Sequence, residues 1–428
     1  MRMSFAGQWM KSEFSINDLP LARSANLAIS ELTQLAPVDS FDFTGAELLY
    51  ERAYLFSADP DSAHEKSCEL LKGRDGLVAI NLPRVSDWEM IPAWLGPWID
   101  NFEINPYDWD SLKQACRSMS VIDLLDQAEL LGLAASIADQ LPPPPSGPWL
   151  AKSIASSSTN TSEPSGSAPL VVDLSSLWAG PLCSHLLSKL GCRVIKVESI
   201  DRLDGARSGL PVFYQLLNQG KESLTLNFKD PLQIAALKHL LSQADIIIEG
   251  SRPRALRNLG IVAEDLLEKG NNKVWISITG YGREGKSGSK IGFGDDAAAA
   301  AGTCRVMHQA TGEYAQVGDA IADPITGIHA ALAAWKSYQA SQNCLISLAL
   351  SDTVSFCLHH ELAYNADRVY ESCRIWKEKQ NQLSLLYPDG VRKITGAAAA
   401  PGAHNAAIIQ ELAPTYADLI TEASSTAP

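Results

Sequence analysis

The segment Asp323-Pro324-Ile325-Thr326-Gly327-Ile328-His329 puts a carboxylate and a proline at the head of a run of small and apolar residues. Asp followed by Pro reads as an N-cap and a first helical residue, where the helix terminus favours negative charge. An ionised carboxylate so placed can cap the helix or act as a nucleophile; on these residues alone the cap is the reading. His329, six positions on, points along the same helix and reads as a packed or exposed histidine. A second stretch, Gly280-Tyr281-Gly282-Arg283-Glu284-Gly285, follows an apolar run. Its glycines can bring backbone close to a reacting group, and turn geometry alone would also explain them. Arg207, Lys221, Arg252 and Arg257 are cations for which a solvated surface charge is the plain alternative, and for Lys221 taken singly it is the preferred reading. The eight cysteines form neither a C-x-x-C pair nor a Cys/His metal spacing, so no metal site is expected and buried thiols are.

The elements that must position these groups begin at Leu170. Leu170-Val171-Val172-Asp173-Leu174 is a short apolar run that suits a buried strand. Ala179-Gly180-Pro181 breaks it, and Leu182, Cys183, Leu186, Leu187 and Leu190 recur at helical spacing. Gly191 stops the helix, and Arg193 to Val197 is a second strand. Such a strand-helix-strand unit needs a parallel sheet buried on both faces. Phosphate often sits at its first turn, but this turn is not G-x-G-x-x-G. Further strands are read at 223–228, 244–249, 274–278 and 345–350, with Asp230-Pro231 opening a helix between the first two. Alternating strands and helices predict an α/β fold with a doubly wound, Rossmann-like parallel sheet.

Residues 1–141 read as a first unit, with helices at 29–35, 46–53 and 120–133 and a turn and strand over Asp75 to Leu82. Its Trp88 and Trp94 read as core residues. Pro142-Pro143-Pro144-Pro145 opens a stretch rich in Ser, Thr, Gly and Pro to residue 169, too poor in apolar residues to offset its ordering entropy, and it reads as a linker. Residues 170–428 form the second unit. The net charge of −14 and pI of about 5.1 argue against nucleic-acid binding, which needs a basic surface. No apolar run reaches spanning length, and the N-terminus lacks a signal-peptide core. The expected protein is cytoplasmic, with no membrane partner.

In order along the chain stand Ala179-Gly180-Pro181, Leu190-Gly191, Val194-Ile195-Lys196-Val197-Glu198, Asp204 with Arg207, Asn218 to Leu226, Ala244 to Gly260 through Glu249, Arg252, Pro253 and Arg257, and Ser277 to Gly285. Pro401-Gly402-Ala403-His404-Asn405 follows near the end. This series resembles the family III CoA-transferases, the group that includes formyl-CoA transferase, carnitine CoA-transferase and α-methylacyl-CoA racemase. More faintly, Arg74 to Ile80 with Trp88 resembles the family's smaller α+β domain, which usually lies later in the chain. Between Tyr364 and Pro388 there is too little chain for that domain. It is therefore expected at the N-terminus, an unusual order that bears on the family's interlocked dimer.

The resemblance implies that Asp323 is a covalent nucleophile. Its carboxylate attacks the donor thioester and expels CoA thiolate, leaving a mixed anhydride. The thiolate then gives an aspartyl-CoA thioester and frees the donor acid, and the acceptor carboxylate reverses the steps. By resemblance Arg207, Lys221, Gly250, Ser251, Arg252 and Arg257 hold CoA, with Gly280 and Gly282 beside the thioester. Coenzyme A is then a substrate, with an acyl-CoA and a carboxylic acid as ligands; no permanent cofactor is expected, and a homodimer is. The family's racemases place a histidine where Phe293 stands, and phenylalanine moves no protons. A racemase, or a catalytically silent CoA-binding subunit, are the alternatives. Asp295 and Asp296 depart from the family's pattern, and the sequence assigns them no role.

Overall fold

The computed structural model describes residues 15–36, 41–58, 66–96, 105, 107–156, 168–386 and 392–417. Pro388-Asp389-Gly390, read above as a turn, lies outside them. The strands are β1 (Cys68–Lys72), β2 (Leu77–Asn81), β3 (Ala134–Ile137), β4 (Leu150–Ser153), β5 (Leu170–Asp173), β6 (Arg193–Ser199), β7 (Glu222–Leu226), β8 (Ile246–Glu249), β9 (Val274–Thr279) and β10 (Cys344–Ala349). The helices that matter to the site are α1 (Ala22–Gln34), α2 (Gly45–Ala58), α3 (Val121–Leu131), α4 (Ala179–Lys189), α5 (Pro253–Asn258), α6 (Gly294–Ala300), α7 (Ala322–Gln339) and α8 (Leu350–Lys379).

Seven strands form one sheet in the order β4-β10-β9-β8-β5-β6-β7. All neighbours are parallel except β4, which pairs antiparallel with β10. The six parallel strands thus run outward in both directions from the β5–β8 pair, which makes that pair the topological switch point. Alternation sorts their side chains into two cores. Val171, Ile246, Ile248, Val274, Ile276 and Ile346 join one cluster with α4, α7 and α8. Val172, Ile195, Ile247, Trp275 and Leu345 join another on the opposite face. A strand covered on both faces has no use for polar residues, which is why these runs read as unbroken apolar segments.

The three-stranded antiparallel sheet β1-β2-β3 is separate. Val78 and Ile80 face a cluster with Trp88, Trp94, Leu112 and Leu124. The alternate residue Ala79 faces Ala138, Ala299 and Cys304, so the sheet's other face lies on α6. The alanine run of α6 keeps its backbone close to the strands. Helices α1 and α2 lie elsewhere: Ala25, Leu32, Leu48, Leu49 and Tyr50 are buried in the main cluster beside α7 and α8. Within 142–169 the described residues hold one strand, β4, whose four exposed residues pair with the β10 backbone, while Pro142 O and Pro148 O accept from His359 and Thr353 of α8 and Trp149 packs on the main core.

Both edges of the large sheet are occupied or guarded. Beyond β7, His404 and Asn405 serve the strand's free groups: Ser223 N donates to His404 Nδ1 at 3.1 Å and Thr225 N to Asn405 Oδ1 at 2.9 Å. At the other edge, β4 is short and carries Lys152. All eight cysteines are buried free thiols. No described helix is long and apolar enough to cross a membrane.

Candidate active site

Asp323 stands in the first turn of α7, partly buried. The helix starts one residue earlier than the Asp-Pro pair predicts: Ile321 is the cap and the Asp323 side chain caps nothing. The chain turns at Gly318 (φ 74°) and Ala320 (φ 46°), and Asp323 N donates to Ala320 O at 2.9 Å, so Ala322 already has helical geometry. Pro324 still falls in the first turn, where its missing N–H costs nothing. The carboxylate presses on Gly294, the first residue of α6: a Cβ there would lie 2.3 Å from Asp323 Oδ2. Only glycine leaves room for that oxygen.

Three more carboxylates surround it, and each is engaged. Asp319 forms a two-point pair with Arg52 of α2, Nε to Oδ2 at 2.7 Å and Nη2 to Oδ1 at 2.5 Å. Asp295 Oδ1 accepts the Ala320 N–H at 2.8 Å and so fixes the turn before α7. Asp296 accepts from the Phe293 N–H at 2.9 Å, from Asn81 Nδ2 at 3.2 Å and from the Tyr281 hydroxyl at 2.5 Å. Among the described residues, no donor bonds the Asp323 carboxylate. Burial pushes its pKa up to about 7; Arg52 opposes the shift, and Asp295, Asp296 and Asp319 add to it. The ionised state expected from the helix terminus is thus only half populated near neutrality. Burial likewise raises Asp296 to about 7. Arg52 stays firmly charged, because Asp319 more than offsets the effect of burial.

The three-stranded sheet delivers two of these contacts. Asn81 on β2 and Ser136 on β3 project from the face that carries Ala79, and Ser136 Oγ donates to Asp296 O at 2.7 Å. Gly280 is buried against Gly292, where a Cβ would lie 2.8 Å from the Gly292 Cα. Gly282 (φ 120°) donates its N–H to Thr279 Oγ1 at 3.1 Å. This loop leads from β9 toward Gly294 and Asp323, on the same edge of the sheet as the loops after β5 and β8. Phe293 is the backbone cap of α6, with Arg84 from the N-terminal unit 5.8 Å from its ring.

Gly250 and Ser251 follow β8 at the switch point, where open α/β sheets bind ligands. Gly250 lies against Ser175 in the loop after β5. Arg252 is exposed and caps α5; burial and the nearby charges of Arg254, Arg84 and Arg202 lower its pKa. Arginines that gather from three separate segments make a local concentration of positive charge on an acidic protein. Arg257 is exposed and 3.8 Å from Glu264.

Two predicted cations are placed otherwise. The Lys221 ammonium is buried and meets Asp173 Oδ2 at 3.3 Å, Pro181 O at 2.9 Å and Asn218 Oδ1 at 3.0 Å. All three of its protons have protein acceptors, and burial lowers its pKa to about 8. Arg207 clasps Glu198 through Nε at 2.9 Å and Nη2 at 2.5 Å and stacks on Tyr214. These two brace the floor of the sheet edge. His329 is buried, its Nδ1 2.8 Å from Ile325 O. Sequence reasoning missed Arg52, Asp319, Arg84 and Arg202, because each gains its meaning from a partner far along the chain, and it passed over Arg254 beside Arg252. Among the described residues no cluster of His, Cys, Asp and Glu is arranged to hold a metal ion.

The profile of CoA-transferase family III matches residues 169–382, half of the chain. The chain belongs to CoA-transferase family III. It is 30% identical over 201 residues to the succinyl-CoA:glutarate CoA-transferase of Homo sapiens, covering 44% of this chain and 46% of that protein. It is 29% identical over 171 residues to the succinyl-CoA--D-citramalate CoA-transferase of Chloroflexus aurantiacus, covering 38% and 42%. A solved CAIB/BAIF family protein from Brucella suis is 25% identical, with 46% of this chain and 57% of that chain covered and a TM-score of 0.42. The chain thus spans less than half of the length of these two curated relatives.

Proposed function

We propose that this protein transfers CoA between an acyl-CoA thioester and a carboxylic acid, with Asp323 as the covalent nucleophile. One observation carries the assignment. Of four clustered carboxylates, Asp295, Asp296 and Asp319 are bound by protein donors, and Asp323 has none among the described residues. A carboxylate oxygen of Asp323 attacks the thioester carbonyl carbon; the C–S bond breaks and CoA leaves as thiolate. The thiolate attacks the Asp323 carbonyl of the resulting anhydride and releases the donor as its carboxylate. An acceptor carboxylate then attacks the aspartyl-CoA thioester and expels CoA thiolate to give a second mixed anhydride, and the thiolate attacks the acceptor carbonyl of that anhydride, forming the new acyl-CoA and releasing the Asp323 carboxylate. Every intermediate stays activated, so no outside energy is needed.

In this reading CoA lies over the switch point. Gly250 and Ser251 give backbone approach, and Arg252, Arg254, Arg202 and Arg84 face its phosphates, while Gly280 and Gly282 border the thioester. Arg257 flanks that cluster. Arg207 and Lys221 act from below by holding Glu198 and Asp173. The three-stranded sheet with its helices is the family's smaller domain, moved to the N-terminal side, and the working form is a cytoplasmic homodimer. Phe293 weighs against racemisation. The test is incubation with an acyl-CoA, hydroxylamine trapping and mass spectrometry: a hydroxamate on Asp323 supports the assignment. CoA binding with neither adduct nor exchange across a broad panel of acids overturns it in favour of a silent CoA-binding subunit.

A further inference from the structure

A cavity of about 420 Å³ lies between the N-terminal sheet unit and the loop that leads to Gly294, and nothing in the CoA site above occupies it. Leu125, Leu133 and Ile137 line one side; Tyr281, Ile291 and Ala300 line the other. Its charged groups are Lys290 and Glu129, 3.2 Å apart, and they neutralise one another. Its remaining polar lining is hydroxyl and amide, from Ser136, Ser287, Ser351 and Gln140 beside Tyr281. The cavity adjoins the reacting centre through a continuous stretch of backbone. Ile291 is three residues from Gly294, whose Cα abuts the Asp323 carboxylate, and three residues reach at most about 10 Å.

We propose that this cavity receives the carbon chain of the acyl group and of the acceptor acid, and selects monocarboxylic acids of medium length, or with branched or ring-bearing bodies, over dicarboxylic acids. The inference rests on Asp323 as the acyl attachment point. At roughly the 30 Å³ that a water molecule takes in the liquid, the space holds on the order of a dozen non-hydrogen atoms. A two-carbon acid leaves most of it empty. A second carboxylate would have to give up its water with no uncommitted cation among the described lining residues to receive it, because Lys290 already has Glu129. An apolar chain meets the opposite balance, since each buried methylene favours binding about fourfold.

The experiment uses the full chain and follows exchange of labelled acetate, butyrate, hexanoate, 3-methylbutanoate, succinate and glutarate into their own CoA thioesters. The expected kcat/KM rises about 250-fold from acetate to hexanoate, four methylenes at about fourfold each, and succinate and glutarate fall at least tenfold below butyrate. Leu125→Trp and Ile291→Trp fill the cavity from opposite sides. Each is expected to flatten the chain-length dependence, with the melting transition of each variant checked against the parent. Succinate or glutarate matching hexanoate, or no dependence on chain length in the parent, overturns the proposal. If no acid exchanges, the transfer reading fails, and calorimetric binding then decides the cavity. Hexanoyl-CoA is expected to bind at least tenfold tighter than acetyl-CoA, with the difference lost in Leu125→Trp; equal affinities overturn it.

Discussion

A carboxylate left without a donor is costly to ionise, and at Asp323 that cost is the basis of a pH-dependent rate. In the proposed mechanism Asp323 must be ionised to attack, so kcat/KM is expected to rise with pH through a single limb near 7, where burial and three neighbouring acids have moved the group. Asp323→Asn removes the proposed nucleophile and is expected to lower exchange by about a thousandfold or more. The same substitution has a stability consequence of definite sign. Asp323 has its folded pKa raised above the ordinary 3.8, so its contribution is fully present below about pH 4 and lost as pH rises through 7. The melting temperature of Asp323→Asn relative to the parent is therefore expected to climb between pH 4 and 8, and a pH-independent difference would refute the assignment. Arg52 sets where the limb falls. Its charge is the favourable partner for three carboxylates, Asp319, Asp295 and Asp323, so Arg52→Gln is expected to move the limb up by about one pH unit or more, a tenfold loss of kcat/KM below it, with Arg52→Lys recovering part of the shift.

At the scale of elements, the site is a meeting of helix ends and loops, and close approach matters more than propensity. Gly294→Ala would put a methyl group where Asp323 Oδ2 lies. It is expected to reduce kcat at least tenfold, and near-wild-type melting in the same sample would separate that effect from unfolding. The arginines at the end of β8 make a different prediction. Arg252→Ala and Arg84→Ala are each expected to raise KM for acyl-CoA about tenfold and leave kcat nearly unchanged, since a charge-assisted contact to phosphate serves ground and transition states alike. The strands were legible in the sequence because two covered faces demand apolar residues over most of each strand, as in Ile246-Ile247-Ile248, while buried polar residues such as Asp173, Glu198 and Glu249 sit toward the C-terminal ends. The head of α7 was less so. Asp-Pro marks a first turn reliably, but the left-handed turn at Ala320 decides which residue starts the helix, and Ala carries no signal for it.

For the whole molecule, chain order and spatial grouping part company. Read along the sequence, α1 and α2 belong to a unit ending near residue 141; in space Leu32, Leu48 and Tyr50 are buried in the core of the large sheet. A chain starting at residue 142 would leave α7 and α8 without that cover. It is expected to lose its cooperative melting transition and to elute as aggregate on size exclusion, whereas independent folding would show the two helices to be dispensable. Arg52 was illegible for the same reason: its partner lies 267 residues away, and no local pattern announces a pairing at that range. Gly280 was legible because its partner Gly292 is close in sequence, whereas Phe293 and Arg252 were legible only through the resemblance, since their shared neighbour Arg84 lies far back along the chain. The guarded edges of the large sheet have a consequence for crowded solutions. Edge backbone is the template on which proteins stack into β-rich deposits, and here the 404–405 turn takes up donors of one outer strand while a four-residue strand with a lysine ends the other. Removing the residues from 396 onward is expected to expose the outer edge of β7 to strand addition, read as thioflavin T binding and larger species on size exclusion than the parent gives.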